Sequence, residues 1–164
     1  MEVTIRTYQE HDIADMVRIW NEVLDAGDMF DYDEYLTVNS GREFFSRQTV
    51  TCVAEDNEGH IYGVYILHPN ATGRRSHIAN ASYAVEAQSR GMHIGTSMVK
   101  DSLERAAAAG FRILQFNAVV EKNLSARHLY EKLGFKQLGV IEGGLLTSAG
   151  EYINICPYYI NLKI

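Results

Sequence analysis

Two cysteines and two prolines in 164 residues leave the chain without the means for a disulfide framework or a proline-rich linker. Cys52 and Cys156 stand far apart and belong to no C-x-x-C pair, so the pattern indicates neither a zinc cage nor a bridge, and both read as buried thiols. The histidines, His11, His60, His68, His77, His93 and His128, form no close-spaced pair with an acidic partner, and no metal is expected. Also missing is any apolar run near the ~20 residues that a bilayer crossing takes, and Met1 to Arg6 lacks the hydrophobic core of a signal peptide. The expectation is a cytoplasmic protein with no membrane partner. Cations are sparse and scattered, with 15 Lys and Arg against 21 Asp and Glu for a formal charge of −6. A nucleic-acid face needs clustered cations to neutralise phosphates, so that partner is excluded.

What remains is the composition of an ordinary globular protein, 46% apolar and 22% charged, with no repeat or low-complexity tract, which suits one domain over 1–164. Val3, Ile5 and Thr7 alternate with polar neighbours as a half-exposed strand does. Asp12 reads as a helix N-cap, and Met16, Val17, Ile19, Trp20, Val23 and Leu24 follow helical spacing to a stop at Gly27. After the acidic, aromatic loop Asp28 to Glu34, a second helix is predicted over about 33–47. Strands at 49–55 and 61–67 flank the hairpin turn Asp56-Asn57-Glu58-Gly59. Further strands are predicted at 78–85, 113–120, 135–141 and 152–162, with helices over about 96–109 and 124–133, each closed by a glycine. The strand-helix-strand unit from Ile78 to Val120 makes its two strands parallel with a right-handed crossover.

Between the strand ending at Val85 and the helix opening at Thr96 lies Gln88-Ser89-Arg90-Gly91-Met92-His93-Ile94-Gly95. The first N–H groups of a helix lack partners and carry about half a positive charge, and glycines let a ligand approach the backbone, so this junction suits a pyrophosphate. Two glycines alone serve equally well as an ordinary connection. No Gly-Lys-Ser/Thr follows, which excludes a Walker A loop, and the Gly-x-Gly-x-x-Gly dinucleotide spacing is absent.

Arg90-Gly91-Met92-His93-Ile94-Gly95 resembles the Gln/Arg-x-x-Gly-x-Gly/Ala motif of the GNAT N-acetyltransferases, with His93 where the family usually has glycine. Asn123-Leu124-Ser125-Ala126, continuing through Tyr130 to Gly134-Phe135, is similar to that family's Asn-x-x-Ala-x-x-x-Tyr-x-x-x-Gly-Phe. The resemblance implies an α/β (α+β) fold, a mixed, mostly antiparallel sheet of six to seven strands flanked by about four helices, with a central parallel strand pair. It implies an enzyme that moves an acetyl group from acetyl-CoA to an amine by direct attack in a ternary complex.

On that resemblance Arg90, Gly91, Met92, His93, Ile94, Gly95 and Thr96 would cradle the CoA pyrophosphate. Backbone groups around Val85 would bind pantetheine and polarise the acetyl carbonyl, and Asn123 and Ser125 would hold the cofactor arm. Tyr130 is the family tyrosine expected to protonate the departing thiolate, although Ala126, Leu129, Tyr130 and Leu133 share one helical stripe and Tyr130 could equally be core. Asn123 could equally be only an N-cap. Buried strand amides are costly unless partnered, which makes Asn80, Gln115 and Asn117, with Tyr83, candidates for the acceptor pocket or for structural pairing. The Asn80, Asn117 and Asn123 set is similar to that of GNAT enzymes acting on proline-like secondary amines. Glu22, Asp28, Asp31, Glu86 and Glu142 have the chemistry of a general base, and sequence singles out none. A small-molecule amine is the favoured acceptor, a protein or peptide amine or a silent acyl-CoA-binding module the alternatives. A homodimer through Tyr158 and Tyr159 is compatible with the resemblance.

Overall fold

The computed structural model describes Met1–Ile164. Eight strands form one sheet in the order β1-β2-β3-β4-β5-β8-β6, with β7 also paired to β8. The strands are β1 (Thr4–Thr7), β2 (Val50–Glu55), β3 (Ile61–Pro69), β4 (Ile78–Val85), β5 (Ile113–Val120), β6 (Lys136–Gln137), β7 (Ile141–Leu146) and β8 (Tyr152–Asn161). The helices are α1 (Ile13–Ala26), α2 (Val38–Ser46), α3 (Ile94–Ala108) and α4 (Leu124–Lys132). Every pairing is antiparallel except β4 with β5. No helix is long and apolar enough to cross a membrane.

Each face of the sheet has its own core. On one, the apolar stripe of α1 (Ile13, Met16, Trp20, Val23) joins Phe45 of α2 against Val53, Val64, Ile66 and Ala84. On the other, Met98, Val99 and Ala106 of α3 pack on Cys52, Tyr65, Leu67 and Leu114, with Leu129 and Tyr130 of α4 alongside. Both cysteines are buried free thiols. Gly27 ends α1 at φ 75, and a β-carbon there would fall 1.9 Å from Ser148 Oγ, so only glycine fits beside the β7–β8 turn.

Four departures from the sequence reading have physical causes. Asp12 precedes α1 without capping it, because its carboxylate accepts from the Arg6 guanidinium at 2.7 and 3.0 Å and from Gln9 N–H. The second helix starts at Val38, where Thr37 and Ser40 form a capping box, because the Asn21 side chain of α1 takes both backbone groups of Leu36, donating to its carbonyl at 2.9 Å and accepting from its N–H at 3.0 Å. α3 opens at Ile94, two residues before the expected start. The expected strand at 135–141 is two strands interrupted around Gly139 (φ 146), which raises the count from six or seven to eight.

The feature that makes room for chemistry lies between the parallel strands. Their ladder has three registered pairs, Ile78↔Ile113, Ala79↔Leu114 and Asn80↔Gln115, and then stops. On its other side β5 shifts register against β8 between Phe116 and Val119. β4 and β5 therefore splay past residue 80, and the first turns of α3 and α4 stand over the opening.

Candidate active site

A cavity of about 750 Å³ fills that wedge, lined by the end of β4, the 89–96 turn and start of α3, the splayed half of β5 and the face of α4. The loop after α1 closes one side with Met29, Phe30 and Asp31. Of the residues singled out from sequence, Val85, Arg90, Gly91, His93, Ile94, Gly95, Thr96, Asn123, Ser125, Asn80, Tyr83, Asn117 and Tyr130 all line it, and Met92 and Gln115 do not. Met92 is turned to solvent.

The 87–96 segment reaches its shape through Gly91 at φ 83 and His93 at φ 60, the latter the single non-glycine residue in the left-handed region. That conformation costs an ordinary residue about 1–2 kcal/mol, and it is what lets the chain turn directly into α3. The N–H groups of Gly91, His93, Ile94, Gly95 and Thr96 have no acceptor in the protein. β-Carbons built at Gly91 or Gly95 meet nothing within 4 Å, so both glycines border open space that a side chain would fill. This free, cationic helix mouth fits a pyrophosphate, and Arg90, His93, Lys100, His128 and Lys132 add positive or protonatable groups around the same cavity. Asp31 is the one carboxylate on its wall.

Because the β4–β5 ladder ends at Asn80, strand alternation leaves the backbone groups of Tyr83 and Val85 facing the gap, while Glu86 N–H bonds across to Tyr62 O at 2.9 Å on the β3 side. Tyr130 combines the two roles that sequence left open. Its ring packs on Phe116 at 4.6 Å and Phe135 at 5.6 Å, and its hydroxyl has no protein partner and reaches the cavity. Burial pushes its pKa up to about 12. Asn123 is likewise both cap and wall: its Oδ1 accepts from Ala126 N–H and the Ser125 hydroxyl, each at 3.3 Å.

The part of the cavity between β4 and β5 is lined by neutral amides and hydroxyls, with the Asp31 carboxylate on the loop that closes one side. Asn80 turns an amide without a protein partner toward the cavity, with Ser82 on the same face of β4. Asn117 is pinned by reciprocal bonds with Asn70 at 2.6 and 3.2 Å and by Gln115 Nε2 at 3.0 Å, so Gln115 braces the wall from behind. Ser102 donates its hydroxyl proton to Val99 O, so the Tyr83 hydroxyl donates to Ser102 Oγ at 2.7 Å and offers the cavity its ring alone. Burial holds the Tyr83 phenol well above the ordinary range.

Sequence reasoning missed Asn70, whose pairing crosses 47 positions. Of the candidate bases, Glu22 accepts from Ala87 N–H, Glu86 lies behind the turn, and Asp28 and Glu142 are exposed. Asp31 alone reaches the cavity.

Comparison with known proteins gives one pattern. The family model described as the acetyltransferase (GNAT) family matches residues 13–135. The N-acetyltransferase aca1 of Schizosaccharomyces pombe is 26% identical over 167 residues, covering 92% of this chain and 80% of that protein. A GCN5-related N-acetyltransferase from Kribbella flavida is 30% identical with a TM-score of 0.88, covering 98% of each chain. A phosphinothricin acetyltransferase from Sinorhizobium meliloti, solved with acetyl-CoA, shares the fold at 20% identity and a TM-score of 0.90, covering 99% of this chain and 89% of that one.

Proposed function

Because this chain belongs to the acetyltransferase (GNAT) family, we propose that the acetyl group it takes from acetyl-CoA passes to the amine of a small molecule, by direct attack with both substrates bound. The observation that carries this reading is that five unpartnered N–H groups at the mouth of α3 and the unpartnered Tyr130 hydroxyl open onto one cavity. Acetyl-CoA supplies a thioester, an acyl group already activated for attack. In this reading the free amides of Gly91 and His93 to Thr96 hold the pyrophosphate, and the gap-facing backbone of Tyr83 and Val85 aligns the pantetheine arm with the wedge. Asn123 and Ser125 hold the arm at α4, and Tyr130 delivers a proton to the departing sulfur.

Asn80 and Asn117 then bound the acceptor and recognise it by hydrogen bonds, with the Asp31 carboxylate on the same cavity wall. The wall at 29–31 makes the acceptor end a walled pocket, which favours a compact amine over an extended peptide. A thiol-release screen with acetyl-CoA against amino acids, proline analogues, polyamines and short peptides tests this. Release that depends on a compact amine supports it, and release with peptides alone refutes the small-molecule acceptor.

A further inference from the structure

Of 21 acidic residues only Asp12 and Glu86 are buried, and the acetyl-transfer scheme uses neither. Glu86 follows β4 directly and its carboxylate, 11% exposed, gathers groups from three parts of the chain. The Ser89 hydroxyl donates to Oε1 at 2.6 Å, His60 Nε2 lies 3.0 and 3.2 Å from the two oxygens, and both terminal nitrogens of Arg18 lie 3.4 Å from Oε2. Backbone bonds repeat the connection: Ser89 N–H donates to Glu86 O at 3.1 Å, and Ala87 N–H to Glu22 on α1 at 3.1 Å. Burial favours the neutral acid, but Ser89, His60 and Arg18 outweigh it and hold the carboxyl below its usual range. Arg18 beside it offsets a negative charge that would otherwise face the phosphate mouth from behind.

Ser89 is the link between this cluster and the cavity. It is buried, lines the cavity wall and immediately precedes Arg90 and Gly91. The next turns of backbone depend on two left-handed residues, and such a segment holds one geometry only when something outside it fixes its start. We propose that Glu86 is a positioning residue for acetyl-CoA: through Ser89 it fixes the short turn that aims the amides of Gly91 and His93 at the pyrophosphate, tying that site to α1 and the β2–β3 hairpin. The inference rests on the pyrophosphate reading above. A preformed turn removes an ordering cost from binding, so the effect belongs in donor affinity and not in the chemical step.

Calorimetric titration of CoA into the full chain tests it, with thiol release measured in parallel. Ser89→Ala and Glu86→Ala should each raise the Kd for CoA about five- to twentyfold, with kcat at saturating acetyl-CoA within about twofold of wild type. Glu86→Gln, which still accepts from Ser89, should fall between them and wild type. Should Glu86→Ala fail to fold, the Ser89→Ala titration decides alone. An unchanged Kd in Ser89→Ala overturns the proposal, and so does a Glu86→Gln enzyme that loses kcat at unchanged Kd, since that marks a group in the chemistry. Gly95→Val separates the two levels. If it abolishes CoA binding while Ser89→Ala does not weaken it, only the positioning role falls; if it too leaves binding intact, the pyrophosphate reading fails.

Discussion

Replacing Tyr130 with phenylalanine removes one hydroxyl that makes no hydrogen bond within the protein. The ring keeps its contacts with Phe116, Phe135 and Tyr158, at 4.6, 5.6 and 6.0 Å, so stability should change by no more than about 0.5 kcal/mol. The effect on catalysis follows from the proton. A phenol held at about 12 by burial is a weak acid. Against an ordinary thiol near 8.5 the transfer runs uphill by roughly 3.5 pH units, or about 5 kcal/mol. The gap narrows inside the cavity, because burial raises a thiol as it does a phenol, and Cys52 and Cys156 are both pushed up in this way. Loss of a positioned acid then costs roughly 10²–10³ in kcat, about 3–4 kcal/mol, with the Kd for CoA unchanged. The acid works protonated and is lost only as pH rises through about 12. Tyr130 therefore contributes no alkaline fall in kcat below pH ~11. Thiol release at saturating acetyl-CoA measures the loss. A variant that keeps kcat within about threefold of wild type refutes the role, since general acids are worth roughly 10²-fold or more.

Gly95→Ala should move stability and function in opposite directions. Alanine in the first turn of α3 gains about 0.5–1 kcal/mol, while its methyl enters the open space bordering the cavity and raises the acetyl-CoA KM about tenfold; thermal melts and kinetics read the two. Gly27→Ala combines a left-handed backbone with a 1.9 Å approach to Ser148 Oγ and should lose about 2–3 kcal/mol in urea unfolding, part of it recovered by Ser148→Gly. Arg6→Ala removes the partner of Asp12 and Glu55 and should cost about 2 kcal/mol at pH 7, less than fully buried pairs. Burial pushes the Asp12 carboxyl up, yet Arg6 and Gln9 N–H prevail and hold it low in the folded state. That stability is present above the unfolded pKa near ~3.9 and is lost as pH falls through the folded value, so the gap between wild type and Arg6→Ala should close in acid. A gap independent of pH contradicts the assignment.

Local chemistry made the open helix mouth readable. Gly91, Gly95, Asn123 and Tyr130 stand at fixed spacings in a strand-turn-helix context, and all four line one cavity. The helix periodicity of α1 was equally plain, because its apolar face is one side of a core. What stayed hidden depends on partners distant in the chain. Nothing near Asn117 announces Asn70, and nothing near Glu86 announces His60 and Arg18. Strand position likewise does not reveal that Ser102 takes the hydroxyl of Tyr83, which lines the cavity with its ring. The early start expected for α2 had the same origin, since Asn21, 15 positions earlier, takes both backbone groups of Leu36.

Amide nuclear magnetic resonance of the 15N-labelled chain reads the phosphate mouth directly. Titration with CoA should shift the N–H signals of Gly91 and His93 through Thr96 more than those of the strands behind them, and pantetheine, which lacks the two phosphates, should leave those five signals in place. Shifts confined to another surface, or equal shifts with pantetheine, would contradict a donor site at the start of α3.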